Sequence, residues 1–379
     1  MSDDLTLFSS PELRDVVQDM RELLSQSRLA ILLGAGCSRK AGLPLMPQLT
    51  DEVLRHEKIG EETKKLLDKV RELFSGAESA TIEDYMSEIV DLLSIAERRT
   101  QRGATKSKIS VGDQERDSVE LQVALDEIKQ AVSSVIGDRP VDVTTHQQFV
   151  KAIHGSLQAG KAARDIDYFV LNYDTLIEDA LGLEQVVFFD GFTGAATGWW
   201  KPSTFRTDGK ATRVFKIHGS IDWCLLEGDS LPRRIRSGIK TETAKHHVLI
   251  YPAATKYQET QRDPFAQMLN HMRHSLCPTD EKEMMILAIN GYSFGDSHID
   301  MEIENALYQS EGRLTIAAFV NTDEPEGKLK DWLADSAISE QIRVYANKGF
   351  FHGDNALKLV NDTTWWKFEI LSRLLGGER

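Results

Sequence analysis

The sequence predicts an α/β protein, a Rossmann-like doubly wound parallel sheet with a large helical insertion, and three observations lead there. Apolar runs of strand length recur at 29–33, 168–171, 214–217, 284–289 and 314–320 with helical stretches between them, the pattern of parallel strands joined by crossovers. Four of these runs lead into small, polar or ionisable residues: LAILLGAGCSRKAGLP (Leu29 to Pro44), YFVLNYDTLIE (Tyr168 to Glu178), VFKIHGSIDW (Val214 to Trp223) and ILAINGYSFGDSHI (Ile286 to Ile299). Ligands on an open parallel sheet collect at the carboxyl ends of its strands, so the four segments together read as a dinucleotide site. Between about Thr50 and Ala163 the patterns turn mostly helical. The expected organisation is a Rossmann-like body from 1–49 and 164–379, interrupted by a helical subdomain from 50–163.

Each element has a local reason. Ser10, Pro11 and Glu12 signal a helix start, and Leu13, Val16, Met20, Leu23 and Leu24 recur on one helical face. Leu29 to Leu33 is continuously apolar and stops at Gly34, as expected of a strand covered on both faces. Helix-favouring residues, Gln48 to Leu54, follow Pro47; Leu66, Val70 and Leu73, then Ile82, Tyr85, Met86, Ile89, Leu92 and Leu93, mark the helices of the insertion. Arg98 to Asp117 lacks apolar periodicity and is rich in Gly, Ser, Thr and charge, so it reads as a mobile loop. Further strand signals lie at Val186 to Phe189, Val248 to Tyr251 and Ile342 to Tyr345.

Composition narrows the functional classes. With 41% hydrophobic and 27% charged residues the 379-residue chain reads as a globular protein with an ample core. A net charge of -14 argues against broad affinity for phosphate backbones, and the basic stretches Lys201 to Arg213 and Arg233 to Lys240 read as solvated loop charge. No apolar run approaches the roughly twenty residues that span a bilayer, and the N-terminus is acidic, so a cytoplasmic location away from membranes is expected. Cys37, Cys224 and Cys277 are too scattered for a paired-cysteine zinc site.

The strand ends carry the chemistry. Gly34, Gly36 and Gly42 follow the first strand; they fit either a tight turn or a cradle in which backbone N–H groups approach a pyrophosphate. The spacing departs from the dehydrogenase fingerprint, with Arg39 where a third glycine would stand, and no Lys-Ser or Lys-Thr pair completes a triphosphate loop. Asn172 and Asp174 can cap the helix that follows them, or Asn172 can offer its amide to a ribose hydroxyl or an attacking water while Asp174 anchors the loop or binds ligand hydroxyls. His218, at a strand end beside Gly219, is placed to act as a general base near neutral pH. Gly291, Ser293 and Gly295 leave room for a phosphate or ribose, and Asn321 ends a further strand as either a cap or a ligand contact.

The order GAGCSRKAGLP, LNYD, KIHGS, GYSFGD and VN resembles the sirtuin superfamily, and more closely its bacterial NAD-cleaving branch, from about Leu29 to Asn321. That resemblance implies that Gly34, Ala35, Gly36 and Ser38 form the phosphate and nicotinamide-ribose loop, that Asn172 and Asp174 are the polar pair at the nicotinamide pocket, and that His218 is catalytic. It places Gly291, Ser293 and Asn321 at the adenosine half. Sirtuin deacylases carry a four-cysteine zinc ribbon after the histidine, whereas this interval holds only Cys224 and Cys277, and Pro44 is followed by Leu45 and Met46 in place of Phe-Arg. The expectation is therefore an NAD+ glycohydrolase using Asn172 and His218, with NAD as substrate and no metal, producing nicotinamide and ADP-ribose. The alternatives are an NAD-dependent protein deacylase and a non-catalytic NAD or ADP-ribose sensor. The resemblance further implies anti-phage defence by NAD depletion, a homo-oligomer, and a HerA-type DNA-translocating ATPase as partner.

Overall fold

The computed structural model describes residues 5–74, 80–104, 107–158, 164–207, 209–235, 239, 246–250, 263–278 and 283–378. After a short 3-10 turn (Thr6–Ser9) comes α1 (Pro11–Leu24), whose buried stripe is Leu13, Val17, Met20 and Leu24, with the expected Val16 and Leu23 partly buried against the same core. After β1 (Arg28–Leu33) and a 3-10 turn (Ala35–Ser38) come α2 (Met46–Leu54), with Pro47 in its first turn, and α3 (Glu61–Arg71). Next, α4 (Ile82–Gln101) starts on a capping box between Thr81 and Asp84. A hairpin of β2 (Ile109–Val111) and β3 (Gln114–Arg116) precedes α5 (Ser118–Gly137), which Asp117 and Glu120 cap in the same way, and α6 (Thr144–Gln158).

The stretch Arg98 to Asp117 is thus not the loop its composition suggests, though residues 105–106 lie outside the described residues. Gly112 turns the hairpin at φ +61, a left-handed conformation that glycine adopts without strain. Ile109 and Val111 are buried, and Arg116 is held by Glu62 at 3.1 Å and Glu120 at 3.3 Å. Three-residue strands are too short for alternation to show in the sequence.

The second half contributes β4 (Asp165–Val170), α7 (Leu176–Leu183), β5 (Phe188–Phe189), β6 (Phe192–Gly194), β7 (Gly198–Trp200), β8 (Thr212–Lys216), β9 (Gly219–Leu226), β10 (Arg233–Arg234) and β11 (His246–Ile250). It continues with α8 (Phe265–Leu276), β12 (Met285–Asn290), α9 (Ser297–Gln309), β13 (Leu314–Phe319), α10 (Gly327–Ala334), β14 (Ile342–Ala346), β15 (Gly349–His352), β16 (Asn355–Lys358) and α11 (Phe368–Leu375). The main sheet runs β16-β15-β14-β13-β12-β1-β4-β8-β5, parallel from β14 to β5 with an antiparallel β14-β15-β16 edge. From β1 the chain winds outward through β4 to β8, then returns to β12 on the other side of β1. The switch point of this α/β fold therefore lies at the carboxyl ends of β1 and its neighbours.

Continuous apolar strands follow from burial on both faces. Ala30 and Leu32 of β1 join one core with Phe169, Phe215, Leu287 and Ile316, while Leu29, Ile31 and Leu33 join the opposite core with Tyr168, Val170 and Val214. Each buried Leu or Ile contributes roughly 1.5–3 kcal/mol. A third core gathers α2 to α5 and the hairpin, from Ala41 to Ile136, and takes in Tyr173 and Leu176 from the main body. By contrast α6, inside the expected 50–163 insertion, packs Phe149, Val150 and Ile153 into the core beneath the main sheet. The expected boundary near residue 163 lies outside the described residues.

A second, antiparallel sheet of order β11-β9-β10-β7-β6 differs from the expectation of one alternating α/β series. Val248 pairs with Cys224 of β9 in this sheet, and Tyr251 lies outside the described residues. The Val186 to Phe189 signal shortens to β5 at the edge of the main sheet. Part of the basic stretch Arg233 to Lys240 also lies outside the described residues, as does residue 208 in the other. Among the described residues no helix is long and apolar enough to cross a membrane.

Candidate functional site

A cavity of about 560 Å³ opens at the carboxyl edge of the main sheet, where the loops after β1, β4, β8 and β12 meet a wall from α2 and α4. Gly34, Ala35, Ser38, Asn172, Asp174, His218, Gly291 and Ser293, proposed from the sequence on separate segments, all line it. Gly36 and Asn321 do not. Asn321 follows β13 at the same edge but is exposed, one strand beyond the β12 loop.

The glycines let two loops approach closely. A Cβ on Gly34 would lie 2.4 Å from the Gly291 carbonyl oxygen, and one on Gly36 would lie 2.7 Å from the Gly291 Cα. Gly291, at φ +70, has no room for a Cβ either, with Cys37 N at 2.6 Å. The Gly34 and Gly36 N–H groups donate to the carbonyls of Asn290 and Gly291, both at 3.0 Å, so these amides are spent joining two loops. Cys37, buried behind them, donates to the Asn290 side chain at 3.1 Å, and burial pushes its thiol well up.

Ser38 organises the polar floor. Its hydroxyl donates to Asp174 Oδ2 at 2.7 Å and accepts from Asn172 Nδ2 at 2.7 Å. An ionised carboxylate only accepts, so the Ser38 proton goes to Asp174 and the hydroxyl oxygen receives the Asn172 NH₂. That chain fixes the Asn172 amide and leaves its Oδ1 buried with no described protein partner. Asp174 Oδ1 also accepts from the Leu176 N–H at 3.1 Å, so the anticipated capping role and the site role coexist. Beneath the loop, fully buried Lys216 donates to the Asp174 carbonyl and pairs with Glu178 at 3.5 Å. Burial, opposed by Lys216, pushes the Glu178 carboxyl up to about 7.

His218 sits in the turn between β8 and β9, 4% exposed, where Gly219 at φ +88 reverses the chain. Its Nε2 lies 2.9 Å from Asp296 Oδ2, and the other carboxylate oxygen lies 3.1 Å from His298 Nδ1. The donor atoms of His218, Asp296 and His298 fall within 4.8 Å of one another, close enough to share one cation. Asp296 and His298 were missed in the sequence, where an Asp and a His two residues apart at a helix start beyond a buried strand were the available signal. Tyr292, also on the wall, donates to Asp300 at 2.8 Å, and burial pushes its phenol far up.

From the insertion, Thr81, Glu83, Asp84 and Ser87 line the opposite wall, and Glu83 accepts a 2.5 Å hydrogen bond from Tyr173. No lysine or arginine is among the described lining residues.

Fold and site together define an α/β protein with a polar, histidine-bearing cavity at the switch point of a Rossmann-like sheet. Residues 167–340 match the family model of the SIR2-like domain. A solved structure described as "Structural Basis for the Mechanism and Regulation of Sir2 Enzymes" is 11% identical, with 95% of this chain and 97% of that chain covered and a TM-score of 0.37. No curated protein matches the chain. The segment with the SIR2-like match contains Asn172, Asp174, His218, Gly291 and Ser293, while the Gly34 loop and the helical wall lie before it.

Proposed function

We propose that the protein hydrolyses NAD+ to nicotinamide and ADP-ribose. The observation that carries this reading is the meeting of Asn172 and His218 on one cavity, with the Asn172 amide fixed by Ser38 and its buried Oδ1 left for a ligand. A ribose hydroxyl or a water supplies the missing donor, so the residues present fit the nicotinamide ribose. The bond that breaks joins the ribose anomeric carbon to the nicotinamide nitrogen, and its electron pair neutralises the leaving ring. Asn172 holds the ribose or the incoming water, the water oxygen bonds to the anomeric carbon, and His218 takes the proton that water releases. The Asp174 carboxylate on the same wall favours the positive charge developing on the sugar. No zinc ribbon enters this reaction, which needs neither a metal nor a redox step. We extend the proposal to NAD depletion in anti-phage defence, by a homo-oligomer and with a HerA-type ATPase as partner, on the sequence resemblance alone.

The test is nicotinamide release from NAD+ by the purified full chain. The wild type should turn over, while Asn172→Ala and His218→Ala should each lose about a hundredfold or more, the usual contribution of positioned acid-base groups. Binding without release by the wild type would point to a sensor, and release that requires an acylated peptide would point to a deacylase. Unchanged turnover in both variants would remove their assigned roles.

A further inference from the structure

We infer that Asp296 and His298 set the tautomer of His218, so that the imidazole meets its ligand through Nδ1; the inference rests on the reading of His218 as the base. The arrangement is a chain of three side chains from two elements. Asp296 is 7% exposed and stands at the start of α9, with its oxygens 2.9 Å from His218 Nε2 and 3.1 Å from His298 Nδ1. Its backbone is held as well, because the Asp296 N–H donates to the Tyr292 hydroxyl at 3.1 Å and the Asp296 side chain makes no capping bond to the helix. The carboxylate is thus held in place and directed at the two imidazoles.

A carboxylate accepts and cannot donate, so each imidazole nitrogen facing it carries hydrogen. For neutral His218 this puts the N–H at Nε2 and the basic lone pair at Nδ1. For His298 it puts the N–H at Nδ1 and the lone pair at Nε2, which is buried with no described partner. When His218 takes a proton, the adjacent carboxylate stabilises the imidazolium, as the buried aspartate of a hydrolase triad does. Asp296 also lines the cavity, so a direct ligand contact is the competing role. Asp296 and His298 are accordingly positioning residues, separable from ligand contacts by experiment.

The first readout needs no turnover. In ¹⁵N-histidine-labelled full-length protein at neutral pH, the His218 resonances, assigned by their loss in His218→Gln, should show the Nε2–H tautomer and a mixture in Asp296→Asn. A Nδ1–H tautomer in the wild type overturns the inference. Kinetically, Asp296→Asn should lower kcat for nicotinamide release about a hundredfold with KM within about threefold. A raised KM with kcat unchanged would make Asp296 a ligand contact and overturn it too. His298→Leu should lower kcat about tenfold, and His298→Asn, whose amide nitrogen replaces Nδ1, should recover to within about threefold; equal losses in both overturn the role of His298. A wild type that releases no nicotinamide would remove the hydrolase reading, while the ¹⁵N spectrum would still decide the tautomer.

Discussion

Ser38 shows how a single hydroxyl can decide the geometry of a site. It is 3% exposed and uses its proton on Asp174 and its lone pair on Asn172. Ser38→Ala removes both partners at once, leaving a buried carboxylate oxygen and a buried NH₂ unsatisfied, at a cost of about 1–3 kcal/mol each. With nothing to define its orientation, the Asn172 amide is free to rotate. The expected outcome is a loss of about 2 kcal/mol or more in unfolding free energy by urea denaturation, with nicotinamide release reduced at least tenfold. Gly291→Ala tests a different constraint. Its φ of +70 and the 2.6 Å approach of Cys37 N predict a larger loss, about 3 kcal/mol, from strain and from separation of the β1 and β12 loops. Asn172, His218 and Ser293 were legible in the sequence because each ends an apolar strand or follows it closely. The partnership of His218 with Asp296 was not, since it depends on how β8 and the start of α9 meet across the sheet edge.

At the level of elements, two-faced burial made β1, β4, β8, β12, β13 and β14 visible as apolar runs, whereas the β2-β3 hairpin left none and the second sheet showed only at β11. Strands in that sheet mix buried and half-exposed positions, as in β9 with Gly219, Ser220, Trp223 and Cys224 buried and Ile221 and Asp222 partly exposed. The role of α6 was hidden for a related reason: periodicity identifies an inward face without saying which core receives it. That helix carries a pH-dependent liability. Burial lowers His146 from its ordinary 6.5 to about 4, and it lowers His154, whose Nε2 lies 3.0 Å from the Tyr168 hydroxyl, by the same amount. Between about pH 6.5 and 4 the unfolded chain then binds more protons at these positions than the folded one, so stability falls as pH falls. Each histidine accounts for about 2 kcal/mol between pH 7 and 5, and raised Glu178 opposes them with the opposite sign over about pH 7 to 4.5. A His146→Gln/His154→Gln protein should therefore lose markedly less unfolding free energy on going from pH 7 to 5 than the wild type. Equal losses in chemical denaturation would show that α6 does not carry the acid sensitivity.

Over the whole molecule, the cavity belongs to neither core alone. The main sheet supplies the strand-end loops and the third core supplies a wall, and Tyr173 belongs to both: it packs in the third core between two site residues of the β4 loop. Among the aromatic residues, Trp200, Phe351 and Trp365 are buried in packing, while Trp199, at 54% exposed, faces outward. The coupling between the two bodies is consequently easier to test than an assembly surface. Glu83 on α4 accepts from the Tyr173 hydroxyl at 2.5 Å, and burial and Glu83 together push that phenol well up, so the pair is a Tyr O–H held on a carboxylate. Glu83→Ala takes away the acceptor and loosens the wall without touching Ser38, Asn172 or His218. If the insertion shapes binding while the loops carry chemistry, KM for NAD+ should rise about fivefold, the equivalent of about 1 kcal/mol, and kcat should stay within about threefold. A fall in kcat with KM unchanged would instead mean that α4 holds the catalytic loop in register through Tyr173, making the helical body part of the catalytic apparatus.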